Sequence, residues 1–232
     1  MTYRVSTITA TASVVVVQRG SDGAGGGRVD LDGLFDRLTC SSYMIGIKYK
    51  DREKAHESVV PKKPRKNSKK AKQFDNQLSL VFFDAIAGKT NVKVFCNGRV
   101  QLTGIKTIEA GPAVLAHVCD VCGFERFEDY RVRMINSDWK MIGPIRLDTT
   151  YQRARGLGLK TRYEPCMYPG VLVKYPVPVE NGQPRILTMM IFRTGSVVIT
   201  GALDMAQLDA ATAYCRQVLL SDYTLLLTGG GV

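Results

Sequence analysis

The stretch FCNGRVQLTG, Phe95–Gly104, returns as FRTGSVVITG, Phe192–Gly201, 97 positions later. Phe, Gly, Val, Thr and Gly stand at the same five places, and Leu102 is matched by Ile199. Read as a strand, the first copy sends Val100 and Leu102 to one face, and the second sends Val197 and Ile199. That face suits a core covered by helices. The other face opens on an aromatic residue and then turns small or polar, with Phe95, Asn97, Arg99, Gln101 and Thr103 in one copy and Phe192, Thr194, Ser196, Val198 and Thr200 in the other. Two readings follow from the residues. The strip is the wet side of an ordinary amphipathic sheet, or it reads a nucleic-acid groove.

The repeat extends outward from these strands. YRVSTITATASV (Tyr3–Val14) is answered by YRVRMINSDWKM (Tyr130–Met141). VDLDGLFDRL places Leu31, Leu34 and Leu38 at helical spacing with Asp30 as its cap, and PIRLDTTYQRARG stands at the same place in the second half. Three strands with turns at Ala87-Gly88 and Asn97-Gly98 lead into the helix EAGPAVLAHVCDVCGF, with Pro112 tolerated in its first turn. In the second half YEPCM is expected as a strand, followed by a turn at Pro169-Gly170 and further strands, and DMAQLDAATAYCRQVLL as the closing helix. The chain is thus read as one α+β unit in tandem: strand, helix, four strands, helix. Two copies give about ten strands with four helices on one face. The expected division is 1–124, with a basic insertion at 51–73, and 125–232.

The chain has 232 residues, 45% of them hydrophobic, enough to bury a core. No apolar run reaches the roughly 18 residues of a membrane span. The start reads as a strand rather than a signal peptide, so the six cysteines are expected as reduced thiols. The net charge is +11, and residues 51–73 carry nine Lys/Arg against three acids. Such a concentration favours a polyanion partner. The other reading is a solvated, unstructured loop or an import signal.

Catalytic candidates are thin. The two histidines, His56 and His117, belong to no nucleophile–base set. Cys119 and Cys122 make one Cys-x-x-Cys with no second pair, so the reading is core filler rather than a metal site. GAGGGR lacks the Gly-Lys-Ser/Thr of a phosphate loop. No catalytic residue, metal or cofactor is expected.

PIRLD, YEPCMYPGVLVKY and IFRTGSVVITGA in the second half, with ITATAS and VFCNGRVQLTGIK in the first, resemble the two halves of the core domain of the TATA-binding protein family. The resemblance covers nearly the whole chain and points to a divergent member, of the kind a large DNA virus carries. It implies a saddle: a curved ten-stranded antiparallel sheet on the DNA minor groove, with four helices on the convex face. The family is the standing example of proteins that wedge apolar side chains into base steps and bend the duplex. The wedges fall by motif on Phe95, Phe192 and Tyr168, the last where the family has Phe, and on Phe74 after the basic insertion. Thr103 and Thr200 match base-edge threonines, and Arg99, Lys106 and Lys174 match phosphate-contacting positions.

The departures concern specificity. Thr7 and Met134 stand where the family has its central asparagines, Thr9 and Asn136 where it has valines, and Gln101 replaces a valine that Val198 keeps. Weaker preference for a TATA element is therefore expected. Glu164 and Met167 fall on the surface that docks transcription factor IIB, with Cys166 where the family has a second acid. The insertion lies at a stirrup, which puts Lys62, Lys63, Arg65 and Lys66, and then Lys69, Lys70 and Lys72, beside DNA phosphates. The implied protein is a non-enzymatic transcription initiation factor. It binds double-stranded DNA as a monomer, meets a transcription factor IIB-like protein and RNA polymerase machinery, and works in a nucleus or viral replication compartment, with no membrane and no secretion. An architectural DNA binder or docking scaffold of the same fold is the alternative.

Overall fold

The computed structural model describes residues 3–16, 28–59, 75–84, 88–179 and 182–221. The chain forms two compact units, Ile8–Val132 and Arg133–Val232 together with Met1–Thr7. In the first unit β1 (Arg4–Val16), from Ile8 on, leads to α1 (Leu31–Arg37), β2 (Met44–Tyr49), β3 (Arg52–Ala55), β4 (Gln77–Asp84), β5 (Gly88–Phe95), β6 (Arg99–Ile105) and α2 (Ala110–Cys122). Its strands lie in the order β3-β2-β4-β5-β6-β1. The second unit follows with β7 (Phe124–Lys140), from Arg133 on, α3 (Leu147–Gly156), β8 (Lys160–Arg162), β9 (Gly170–Val177), β10 (Arg185–Phe192), β11 (Ser196–Ala202) and α4 (Met205–Tyr214), which runs on as a π turn over Cys215–Leu219. Its strand order is β7-β11-β10-β9-β8. All the pairings are antiparallel.

The repeated stretch is repeated in space. Lys93 pairs with Gln101 and Val94 with Val100; 97 residues on, Met190 pairs with Val198 and Ile191 with Val197. Each hairpin turns on a glycine with positive φ, Gly98 at 78° and Gly195 at 83°, whose amide donates to the carbonyl of the leading phenylalanine. Each closes on a second such glycine, Gly104 at 105° and Gly201 at 101°. These conformations explain why the motif keeps both glycines. A β-carbon at Gly104 would also meet the Lys89 carbonyl oxygen at 2.6 Å, whereas at Gly201 the nearest atom lies at 3.5 Å. Gly104→Ala is therefore expected to lower stability by more than Gly201→Ala. Backbone strain alone costs about 1–3 kcal/mol, and the clash adds to it. Equal losses in thermal unfolding would contradict this.

Alternation sorts the faces as expected. Ile8, Ala10 and Ala12 of β1, with Val100 and Leu102 of β6, are buried, as are Val197 and Ile199 of β11. Asp30 caps α1 by accepting from the Gly33 amide at 3.1 Å. Asp204 caps α4 through Gln207, whose side chain returns to the Leu203 amide at 2.9 Å. Cys119 and Cys122 lie on the buried face of α2, and burial pushes the Cys122 thiol up to about 12. His117 packs edge-on against Tyr43, ring centroids 4.1 Å apart.

Two elements differ from the sequence reading. The described strands number eleven rather than ten, because charged DREKA forms β3. A two-residue turn with Lys50 at φ 52° folds it back, and its cations fasten it to α1. Arg52 bridges Asp32 at 2.7 Å and Asp36 at 2.9 Å and stacks on Phe35, while Lys54 donates to the carbonyls of Phe35, Asp36 and Leu38. YEPCM forms a turn rather than a strand. The amides of Met167 and Tyr168 both donate to the Glu164 carbonyl, and the short strand lies earlier, at Lys160–Arg162.

Candidate nucleic-acid interface

Each unit buries one sheet face beneath its two helices and leaves the other open. On the first unit's open face, cross-strand pairing builds rows. Thr9 faces Thr103, which faces Asn91 and then Val81. Thr11 faces Gln101, then Lys93, Ser79 and Lys48. Phe95 heads this face, half-buried, opposite Gln77. Arg99 and Lys106 are exposed near its margins. The expected Thr9, Gln101 and Thr103 thus come together with Lys93, Asn91 and Ser79, which the motif comparison passed over. The signal for the first two was present: counting back by twos from Phe95 reaches Lys93 and Asn91.

On the second unit Thr200 faces Thr188, which faces Lys174, and the Lys174 ammonium donates to the Thr188 hydroxyl at 2.7 Å. Asp138 faces Val198, then Met190, Leu172 and Arg162. Asp138 is the one acid in this row, and Arg4 neutralises it through paired contacts of 3.0 and 3.1 Å. Met134 and Asn136 continue the open side of β7, both partly exposed. The Asn136 carbonyl oxygen and the Thr7 hydroxyl have no hydrogen-bond partner among the described residues.

The end of this face is aromatic. Phe192 and Tyr168 lie with ring centroids 5.8 Å apart and planes inclined at 55°, both half-buried. The Phe192 ring sits over Gly170, where a β-carbon would come within 3.0 Å of it. The Tyr168 hydroxyl donates to the Met190 sulfur at 3.3 Å, a weak acceptor. Phe74 and the basic residues Lys62 to Lys72 lie outside the described residues. By strand register the first-unit counterpart of Tyr168 is Asp75, since Gln77 faces Phe95 as Gly170 faces Phe192. Beside Tyr168, Met167 is 77% exposed, and the Glu164 carboxylate is gripped by Arg162 at 2.9 and 3.0 Å. That grip holds Glu164 below the usual carboxylate range. No cluster of metal-ligating side chains occurs among the described residues, and none of their helices is long and apolar enough to cross a membrane.

Residues 129–221 match the family model for transcription factor TFIID, or TATA-binding protein. A TATA-box-binding protein-like protein of Acanthamoeba polyphaga mimivirus is 24% identical over 78% of this chain and 57% of its own length. TATA-box-binding protein-like 1 of Entamoeba histolytica is 26% identical over 57% of this chain and 58% of its own. The chain therefore spans little more than half the length of these relatives. Among solved structures, the Methanococcus jannaschii TBP superposes with a TM-score of 0.59 at 16% identity, covering 95% of this chain and 99% of that one, which shows a shared fold. The matched second half, the relatives and the fold together support a divergent member of the TATA-binding protein family.

Proposed function

We propose that the chain is a TATA-binding-protein-like transcription initiation factor that lays its repeats on the DNA minor groove and bends promoter DNA by aromatic wedging. The observation that carries this is the matched hairpin register, which puts Phe95 and Phe192 at the heads of two uncovered sheet faces. Cations at Arg99, Lys106 and Lys174 suit phosphates flanking such a groove, and the net charge of +11 favours a polyanion. The division into two repeats near residues 124–125, with the insertion at 51–73, is part of this reading. So are monomeric binding, docking of a transcription factor IIB-like protein at Glu164 and Met167, contact with polymerase machinery, and action in a nucleus or viral compartment. The mimivirus relative supports the viral setting.

The second reading is an architectural binder without TATA preference. It draws on Thr7 and Met134, which cannot reproduce the paired donor and acceptor of an asparagine amide. Titrating TATA, scrambled and GC-rich duplexes labelled at both ends measures affinity and bend together. The expected result is a bent TATA complex whose preference over GC-rich DNA is smaller than an ordinary member's by about 1–3 kcal/mol per lost base contact. Equal bending of all three duplexes would favour the architectural reading, and unbent DNA throughout would refute both.

A further inference from the structure

The central rows of the two open faces occupy the same place in the repeat and differ in chemistry. The first reads Lys48, Ser79, Lys93, Gln101 and Thr11. The second reads Arg162, Leu172, Met190, Val198 and Asp138. At the middle of each, two strands set a residue pair side by side: Lys93 with Gln101, and Met190 with Val198. All four side chains are partly exposed, and no hydrogen bond or ion pair ties the Lys93 or Gln101 side chain to another described residue.

We propose that Lys93 and Gln101 make the first unit accept G·C pairs in its half of the site, while Met190 and Val198 confine the second unit to A·T pairs. The inference rests on the minor-groove reading above. In that groove A·T and T·A pairs show only acceptors, and a G·C pair adds the guanine N2 amino donor. The Gln101 amide oxygen accepts from that amino group, and its NH₂, like the Lys93 ammonium, donates to the acceptors that all pairs display. Met190 and Val198 offer no acceptor of comparable strength. A guanine amino group pressed on them loses its water and gains nothing, a penalty of roughly tenfold to a hundredfold per pair. The long, flexible Lys93 and Gln101 side chains can fold aside for an A·T pair, so the first unit tolerates both.

Selection from a random-sequence duplex pool, with the full chain, reads the preference directly. The wild type is expected to enrich sites with one A·T-only half and one half in which G·C persists. The variant Lys93→Met/Gln101→Val is expected to turn the tolerant half A·T-only, and Met190→Lys/Val198→Gln to relax the other half, which also assigns each half to its unit. Inosine supplies a test on the unaltered protein, because I·C keeps the acceptors of G·C and lacks the amino group. Replacing guanine by inosine should tighten binding about tenfold or more in the second unit's half, and change it by less than about threefold in the first unit's half. A·T-only selection in both halves of the wild type, or equal inosine effects in both, overturns the inference and leaves the minor-groove reading standing. Binding with no sequence enrichment and no inosine effect anywhere overturns the minor-groove reading itself.

Discussion

A chain carrying Tyr168→Ala and Phe192→Ala is expected to leave bound duplex markedly straighter at one end while keeping its dependence on salt. Unstacking a base step costs a few kcal/mol, and an apolar ring recovers part of that cost by covering the exposed base faces. The two rings lie side by side at the end of the second unit's open face, 5.8 Å apart, and both are partly exposed. Without them the kink has no wedge, and affinity for a bendable site should fall about tenfold to a hundredfold, the equivalent of about 1.4–2.8 kcal/mol. Neither residue carries charge, so the salt slope is expected to stay as it was. The ends of a doubly labelled duplex report the bend, and thermal unfolding shows that the variant is folded. That control matters because the Phe192 ring rests on Gly170. Single replacement of Phe95 should straighten the duplex where the first unit binds, and by less than the double replacement does, since it removes one ring rather than two. An unchanged end-to-end distance in the double variant would rule out wedging by this pair.

The parts of this fold that could be read in advance are those where local chemistry and global packing agree. The hairpins were legible because positive φ at two places demands glycine and strict alternation demands a buried valine between them. The capped helices were legible for a similar reason, as Asp30 and Asp204 bond the amides that a helix start leaves free. Strand β3 was not legible. DREKA has no apolar alternation, and it becomes a strand through Arg52 and Lys54, whose partners on α1 lie some twenty residues away. YEPCM has the look of a strand, but the Glu164 carbonyl takes two amides and turns the chain. On the open faces, the repeated motif singles out Phe95, Phe192 and the residues of β6 and β11, and it leaves out Lys93 and Met190. A motif compares the two copies where they agree, and the specificity proposed above rests on where they differ.

The basic insertion presents the largest charge effect. Of the nine cations in residues 51–73, Arg52 and Lys54 are committed to α1. That leaves Lys62, Lys63, Arg65, Lys66, Lys69, Lys70 and Lys72, with no acid among them. If four of these neutralise phosphates, deleting residues 62–72 lowers the slope of log affinity against log salt by about 3.6, at roughly 0.9 per phosphate. Between 50 and 200 mM salt the advantage of the full chain over the deleted one then shrinks on the order of a hundredfold. The bend should persist, since Phe95, Tyr168 and Phe192, the proposed wedges, are untouched. A segment that serves only as an import address predicts the same slope with and without it. The two views therefore separate in one titration of purified protein on one duplex, and an unchanged slope would remove these seven residues from the DNA interface.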